Sequence, residues 1–504
     1  RGGVTPSAAA PSLALSRALR GTALWDALAL ERAARSERGS AITVDAPGWE
    51  SIDGRLRALV VTQPSDADAS NSNNPWSVRR LDADLSDEQG RPIPAPINGQ
   101  EEIVVPPVIV RDSASDYAIV TDSTGRVAAP SLTSWIDRVA LAWGLQNPSL
   151  LSSDTPRERE RVVLHRGVRD RVERLLPFFM QGRRVTPLVY RDSLYWTLHL
   201  YSASEFYPLS DPVGVGGRDL RYFKHAGVSL VNAHTGRVFT IADAAPDPVA
   251  SSWIRRFPSL FVVAGALDHD LADRIPPPIE GALVHARIFA AVGPRGENAP
   301  PSHLPRHPGG DTLFTNPAFS PYADSMTGRI ALAYPILDAT ERVRGVMVAP
   351  GGAEYEPRWL AFSGVPQRWT TVVDRLRRAI DSASAANSSR EIAIVRGPVR
   401  VVPTDHGGAY VQTAYSWRGD GAPTVRLVAV LIGDSVRTGA TVPAAAGLPA
   451  PILPEEPLSP SAFRSRIDQL YSEMREALRR GDWPAFGAAF EAIGRLLRTA
   501  PAKP

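Results

Sequence analysis

Cysteine is absent from the chain: none occurs among its 504 residues. This absence excludes disulfides, iron–sulfur clusters and zinc sites with thiolate ligands. A nucleophilic cysteine is excluded in the same way. The absence does not decide the cellular compartment, because an extracytoplasmic protein of this size can fold without disulfides.

Long apolar runs are absent as well. The longest purely apolar stretch is Leu427–Ile432, which has the length of a strand, whereas a helix that spans a bilayer needs about 20 apolar residues. No hydrophobic region of a signal peptide is present, and the sequence starts at Arg1 rather than Met. Our expectation is that the chain is either processed or part of something longer.

A basic surface for nucleic acid is also missing. The 56 basic and 53 acidic residues give a formal net charge of +3, which is close to neutral for this length. A nucleic-acid-binding protein normally concentrates basic residues on one face, and no basic patch with interleaved aromatics occurs here. We therefore expect no nucleic-acid partner.

Proline is present in excess, with 46 residues, about 9% against a usual share of about 5%. Because proline interrupts helices and central strands, this excess favours ordered loops and short strands over one long helical body. The hydrophobic fraction of 43% is sufficient for packed cores, and the length favours two to four domains. We predict an α+β, β-dominated, multi-domain extracytoplasmic region with a C-terminal helical hairpin.

Changes in composition suggest where the chain divides. We predict an N-terminal α/β region and an arginine-rich helix followed by a β region. A β-rich region, a Pro/Ala linker and a helical hairpin follow. The corresponding residues are 1–150, 151–262, 263–434, 435–460 and 461–504.

Periodicity predicts individual elements within these regions. Trp135, Val139 and Trp143 recur at four-residue spacing in a helix over Leu132–Leu145. Thr155–Met180 is predicted as a longer, arginine-rich helix that ends at or is kinked by a proline. From residue 185 the pattern changes to short strands, including one hairpin around residues 191–193 and another around residues 232–236.

No catalytic, metal-binding or cofactor-binding motif is recognisable. His303 and His307 have the spacing of a helical zinc pair, but the prolines at 305 and 308 argue against a helix, so we interpret both as solvated loop histidines. The chain has no G-x-S-x-G nucleophile elbow and no P-loop. We therefore predict no catalytic residue, no metal ligand and no cofactor, and a protein that is not an enzyme.

Arg166, Arg169 and Arg174, in the predicted helix Thr155–Met180, are candidate interaction residues. Clustered arginines beside a membrane can bind anionic lipid head groups, each contributing about 1 kcal/mol near the surface. Glutamate and aspartate are interspersed among them, which favours the alternative of a solvated, salt-bridged face.

Trp483, Phe486 and Phe490 are the second set of candidate interaction residues. They belong to an apolar stripe on the second arm of the predicted hairpin. Two arms of about 18 and 15 residues are marginal alone in water, so their stripes need to be covered. The cover can be the body of the protein, the other arm or another protein, and docking on the body is slightly favoured.

Eight segments carry a resemblance to known sequences: Leu24–Leu30, Ile52–Val61, His165–Met180, Leu188–Asp211, Val228–Phe261, Gly407–Trp417, Leu427–Val436 and Glu476–Ile493. In this order they resemble a large bacterial family still classed as an uncharacterised protein family (UPF). Members of that family have several N-terminal membrane helices and a long extracytoplasmic C-terminal region. The resemblance implies an extracytoplasmic location beside a membrane, and it implies no activity.

Two classes of function compete. The first is a non-enzymatic accessory or scaffold subunit on the extracytoplasmic face of a larger membrane protein complex. Respiratory or photosynthetic machinery is a conceivable host complex, but no residue of the sequence points to it. The second is an envelope ligand-binding module, or a hydrolase acting on polysaccharide or peptide. The lack of a convergent catalytic constellation favours the first. We expect membrane protein subunits and anionic lipid head groups as partners, at the periplasmic face of the bacterial inner membrane.

Overall fold

The computed structural model describes most of residues 18–448 and a few residues beyond them. Within that span it leaves out residues 39–41, 45–46, 53, 65–75, 98, 106–107, 110–116, 123–124, 132–133, 152–159, 192, 216, 293–301, 314–319, 325–326, 388–392, 405–406, 418 and 420. Beyond residue 448 it describes Tyr471, Met474, Arg475 and Arg479, all helical. Residues 1–448 form one compact unit and residues 449–504 a second.

The first sheet is antiparallel and is centred on two strands that pair along most of their length. Its strands are β1 (Ile42–Val44), β2 (Gly48–Ile52), β3 (Arg55–Pro64), β4 (Trp76–Asp82), β5 (Ile93–Ala95) and β6 (Glu102–Val105). A separate pair follows, β7 (Tyr117–Thr121) with β8 (Glu160–Leu164).

The second sheet has the order β15-β14-β13-β10-β9 and carries a small hairpin, β11 with β12, in one connection. Alternating apolar residues on both sides of short polar turns explain its two long hairpins. Its elements are β9 (Met180–Tyr190), β10 (Ser193–Ser204), β11 (Val213–Val215), β12 (Arg218–Leu220), β13 (Tyr222–Asn232), β14 (Val238–Ala242) and β15 (Phe261–Val262).

Two further antiparallel sheets complete the strand content. The third sheet consists of β16 (Ser320–Ala323), β17 (Ile330–Leu337), β18 (Val343–Pro350) and β19 (Arg358–Ala361). The fourth consists of β20 (Ile394–Arg396), β21 (Arg400–Thr404), β22 (Gly407–Ser416), β23 (Thr424–Ile432) and β24 (Ser435–Gly439). The predicted α+β, strand-dominated class is confirmed.

Helices lie against or between these sheets. They are α1 (Ala27–Arg38), α2 (Trp135–Gly144), α3 (Val168–Leu175), α4 (Pro248–Arg256), α5 (His269–Arg274), α6 (Ile279–Val292), α7 (Trp369–Asn387) and α8 (Val442–Ala445). None of the helices in the described part of the chain is both long and apolar enough to cross a bilayer.

Residues from distant parts of the chain share a core. Leu24 and Leu56, near the N-terminus, pack in one cluster with Val411 and Val430 of the fourth sheet. The division of the chain at residues 150, 262 and 434 stays a prediction, although residues of its first and third regions meet in this cluster.

Side-chain donors join the N-terminal segment to the fourth sheet. The carbonyl of Leu24 accepts hydrogen bonds from the hydroxyls of Thr413 (2.9 Å) and Tyr415 (2.8 Å). The Arg400 guanidinium, 1% exposed, donates to the Trp25 carbonyl (2.9 Å) and lies 3.7 Å from the Asp26 carboxylate. Buried carbonyl groups need hydrogen-bond donors. These side-chain donors therefore hold the Leu24–Trp25 segment in place, although it belongs to no helix or strand.

Two sequence predictions are corrected by these elements. In the described part of Thr155–Met180, residues 160–164 form β8 and Val168–Leu175 form α3, so the segment is not one helix. Pairing with β7 outweighs the helical propensity of the arginines, and His165, at φ 52°, separates the strand from the helix. Ser435–Pro460 is not a linker throughout, because its first residues form β24 and α8; residues 449–460 lie outside the described residues.

The shared carbonyl of Leu24 leads to a first prediction. Tyr415→Phe should lower the free energy of unfolding by about 1 kcal/mol, because Thr413 still satisfies the carbonyl. Tyr415→Phe with Thr413→Val should cost about 3 kcal/mol, more than the sum of the single changes, since the described residues offer Leu24 no other donor. Urea denaturation measures both. Tyr207→Phe, at a half-exposed tyrosine, is the control, and strict additivity would contradict the prediction.

Candidate functional site

The structure assigns the three predicted interaction arginines different environments. Arg166 is buried, donates to the Val108 carbonyl at 3.3 Å, and has a pKa lowered by burial. Arg169 donates to the carbonyls of Gly182 and Arg183. Arg174 is exposed and forms an ion pair with Asp170 one turn earlier, at 3.3 Å. The three do not form one exposed basic face.

The other three candidates, Trp483, Phe486 and Phe490, lie outside the described residues, as does almost all of the predicted hairpin 461–504. Their role as a docking stripe stays a prediction.

Helix α2 exposes its apolar side chains instead of burying them. Trp135 and Trp143, at its two ends, are 72% and 86% exposed. Ile136 and Val139 between them are also exposed, and Ala142 is the residue of the helix that is buried. Trp135, Ile136, Val139 and Trp143 are called the α2 apolar face below. The sequence predicted this helix from its tryptophan spacing but gave no sign that the stripe faces solvent.

A buried chain of three titratable side chains crosses the second sheet on the side opposite its main core. His225 Nδ1 is hydrogen-bonded to a carboxylate oxygen of Asp243. His225 Nε2 lies 3.0 Å from Nδ1 of His199, whose Nε2 lies 3.0 Å from the carbonyl oxygen of Pro276. The three side chains are almost fully buried. This arrangement is called the Asp–His–His chain below.

Counting hydrogens assigns the protons in this chain. The bond to the Pro276 carbonyl requires a hydrogen on His199 Nε2, so His199 Nδ1 of a neutral ring accepts from His225 Nε2. The other nitrogen of His225 donates to Asp243. His225 is therefore hydrogen-bonded through both ring nitrogens, to Asp243 and to His199, and His199 is neutral.

Electrostatics favours the same assignment. Burial, and then the positive charge of His225, lowers the pKa of His199 well below its ordinary value. Burial alone would raise the pKa of Asp243, but the hydrogen bond and the charge of His225 oppose it, and the net shift is downward.

The Asp–His–His chain differs from a hydrolytic triad at its third member. In a triad, the imidazole that an aspartate orients accepts a proton from a hydroxyl or thiol nucleophile. Here the histidine next to Asp243 bonds to a second histidine, and the chain ends on the backbone of Pro276. Its geometry suits a network that fixes the second sheet beneath the 276–281 segment, where the Tyr201 hydroxyl also accepts from the N–H of Gly281 at 3.1 Å.

A histidine–tyrosine pair lies beside the Asp–His–His chain. His285 of α6 has Nδ1 3.0 Å from the hydroxyl of Tyr355, and the tyrosine ring meets the His225 ring edge-on at 5.3 Å between centroids. Burial, with the nearby charges of Lys224 and His225, lowers the pKa of His285 to about 4. At neutral pH His285 is therefore uncharged, and its Nδ1 shares a hydrogen bond with the tyrosine hydroxyl.

Sequence reasoning missed the Asp–His–His chain because its members carry no local signal. His199 and His225 are single histidines in two strands, 26 residues apart. They meet through the register of β10 with β13, which shifts at Leu200/Tyr201, and Asp243 follows the end of β14. The pair that the sequence singled out does not converge: His303 contacts Glu341 at 2.9 Å, and His307 accepts from the N–H of Gly309.

Among the residues that the structure describes, no group of three or more histidine, aspartate or glutamate side chains is arranged so that it could hold a metal ion.

Comparison with known proteins identifies relatives. Residues 111–281 match the model of an uncharacterised protein family, UPF0182. A UPF0182 protein of Cupriavidus necator is 26% identical over 390 residues, which cover 71% of this chain and 42% of the relative. One of Bradyrhizobium diazoefficiens is 24% identical over 463 residues, which cover 81% of this chain and 48% of the relative.

These matches confirm the resemblance to an uncharacterised bacterial family. The chain spans less than half the length of these two relatives. The multi-pass membrane part that the resemblance implied stays a prediction.

Removing the charge of Asp243 tests the Asp–His–His chain. Asp243→Asn keeps the shape but replaces the buried carboxylate that is hydrogen-bonded to His225 by a neutral amide, which should cost about 2 kcal/mol of unfolding free energy. Asp219→Asn, at an exposed position of β12, should change it by less than about 0.5 kcal/mol. Urea denaturation at pH 7 measures both variants, and equal midpoints would contradict a stabilising hydrogen bond between Asp243 and His225.

The lowered pKa of His285 predicts a pH dependence. Between about pH 6.5 and 4 the unfolded state binds a proton that the folded state does not, so the free energy of unfolding falls as the pH falls. The expected contribution is about 3 kcal/mol over that window. His285→Gln should reduce this slope, whereas His269→Gln, at an exposed histidine, should retain it. Urea titrations at pH 7, 5.5 and 4 measure the slopes; an unchanged slope in His285→Gln would contradict the assignment.

Proposed function

We propose that this protein region is a non-enzymatic accessory or scaffold subunit that docks on a larger membrane protein complex through the α2 apolar face. The proposed place is the extracytoplasmic (periplasmic) face of the bacterial inner membrane. The exposure of Trp135 and Trp143 is the observation that carries the docking role. The resemblance to the uncharacterised family supports the place.

The α2 apolar face has the composition of a protein-binding surface. Tryptophan is enriched among the residues that dominate binding energy at protein interfaces. Tertiary packing supplies most of the stability of helices in proteins. Helix α2 has ten residues and buries little more than Ala142, so it gains little stability from such packing. A partner that covers the two tryptophans would supply the missing burial, and contiguous exposed apolar surface commonly marks interaction sites.

Charge on α2 favours a protein partner over a lipid surface. The helix carries one acidic and one basic residue, Asp137 and Arg138. Interfacial helices that bind anionic membranes usually carry several basic residues on their polar face. Binding to anionic lipid head groups through Arg166, Arg169 and Arg174 stays a prediction, and the docking proposal does not depend on it.

Exchange of the two tryptophans tests the proposal. Trp135→Ser with Trp143→Ser should leave the melting temperature nearly unchanged, because both side chains are already exposed. In the native host, the unaltered protein should elute from solubilised membranes in a stoichiometric complex larger than the monomer, and the double variant should elute alone. Size-exclusion chromatography with mass spectrometry measures the change.

Phe206→Ser with Val365→Ser is the matched control, since both positions are strongly exposed and lie outside α2. This variant should remain in the complex. Elution of the unaltered protein as a free monomer would refute the scaffold role. If the unaltered protein co-sediments with protein-free vesicles and the tryptophan variant does not, the α2 apolar face binds a lipid surface and not a protein.

A further inference from the structure

A cleft of about 360 Å³ opens beside α6, and its lining includes no residue of the α2 apolar face or of the Asp–His–His chain. One wall is α6 and the other is the segment 302–306. Half of its lining is polar and half is apolar. The lining residues are Leu283, Arg287, Ala290, Ser302, His303, Leu304, Pro305 and Arg306.

Backbone hydrogen bonds fix both walls. The N–H of Ser302 donates to the carbonyl of Ala290 at 2.9 Å, which joins the segment to α6. His303 exchanges two hydrogen bonds with Leu337 at the end of β17, at 2.8 and 2.7 Å. Because one wall is a helix and the other is paired with a strand, the cleft is preformed, as most small-molecule sites are.

Two arginines give the cleft its charge. Arg287 and Arg306 are both exposed, and within the part of the chain that the structure describes neither forms an ion pair. Many other arginines of the chain donate to a carboxylate or a backbone carbonyl, as Arg396 and Arg171 do. Two positive side chains lining one cleft repel each other, and a bound anion would relieve that repulsion.

We propose that this cleft binds an amphiphilic anion, with a phosphate or carboxylate head held by Arg287 and Arg306. The planar guanidinium presents paired N–H donors that match these oxygen anions. The apolar part of the ligand packs against Leu283, Leu304 and Pro305. The volume lies at the small end of the range for ligand sites, so the ligand is a small molecule rather than a polymer. This site is independent of the proposed docking role.

Titration calorimetry with the full chain tests the site, with octyl phosphate below its micelle concentration as the probe. Octyl phosphate should bind at least about tenfold more tightly than inorganic phosphate or 1-octanol, because only it fills both halves of the cleft. Arg287→Gln and Arg306→Gln should each weaken binding about tenfold, the value of one lost charge-assisted hydrogen bond. Their melting temperatures should match that of the unaltered protein.

Arg256→Gln is the matched control, at an exposed arginine at the end of α4. It should bind octyl phosphate with unchanged affinity. Absence of binding, or equal weakening in all three variants, would overturn the proposal, the second because it would indicate a general effect of charge. Equal affinity for 1-octanol would refute recognition of the anion, and equal affinity for inorganic phosphate would refute the apolar half of the site.

Discussion

Buried carbonyl groups that no helix or strand can satisfy are the constraint on which this structure depends. A chain with 46 prolines has many connecting segments, and each proline lacks the N–H that a ladder would use. Side chains therefore supply the donors. Arg171 alone bonds to the carbonyls of Leu164, His165 and Gly236, and Arg400 to that of Trp25. The bond of Arg400 to Trp25 connects residues 375 positions apart, and the bond of Tyr415 to Leu24 connects residues 391 positions apart.

The same constraint changes how the arginine-rich segment is understood. Arginines in sequence look like a surface for lipid or solvent, because they are charged and good helix formers. In the fold, Arg166, Arg169 and Arg171 face backbone oxygen atoms of the neighbouring strands and turns. An arginine buried in this way stabilises through several carbonyl bonds at once, since its guanidinium has five donors and no acceptor. Such a role needs neither a membrane nor a partner.

Polar groups inside the second sheet follow similar rules but with titratable side chains. The Asp–His–His chain satisfies each of its nitrogen atoms and ends on a backbone carbonyl, so it has the features of a structural network.

The surfaces available for function lie elsewhere. The α2 apolar face offers tryptophans without charge, and the cleft beside α6 offers arginines together with apolar walls. We propose different ligands for the two surfaces, a protein for the first and a small anion for the second.

The sequence by itself determined the strand-rich class, the hairpins around residues 191–193 and 232–236 and the helix at α2, because these depend on alternation, turn residues and helical spacing over a few positions. Tertiary structure decided the rest. Whether the tryptophans of α2 face solvent depends on what packs beside the helix, and residues 160–164 became a strand because β7 was available for pairing. The Asp–His–His chain depends on the register of two strands, and the cleft depends on the return of the segment 302–306 to α6. Neither produces a pattern within a short stretch of sequence. Contacts between residues far apart in the chain are fixed by the packing of whole sheets, which no short window of sequence contains.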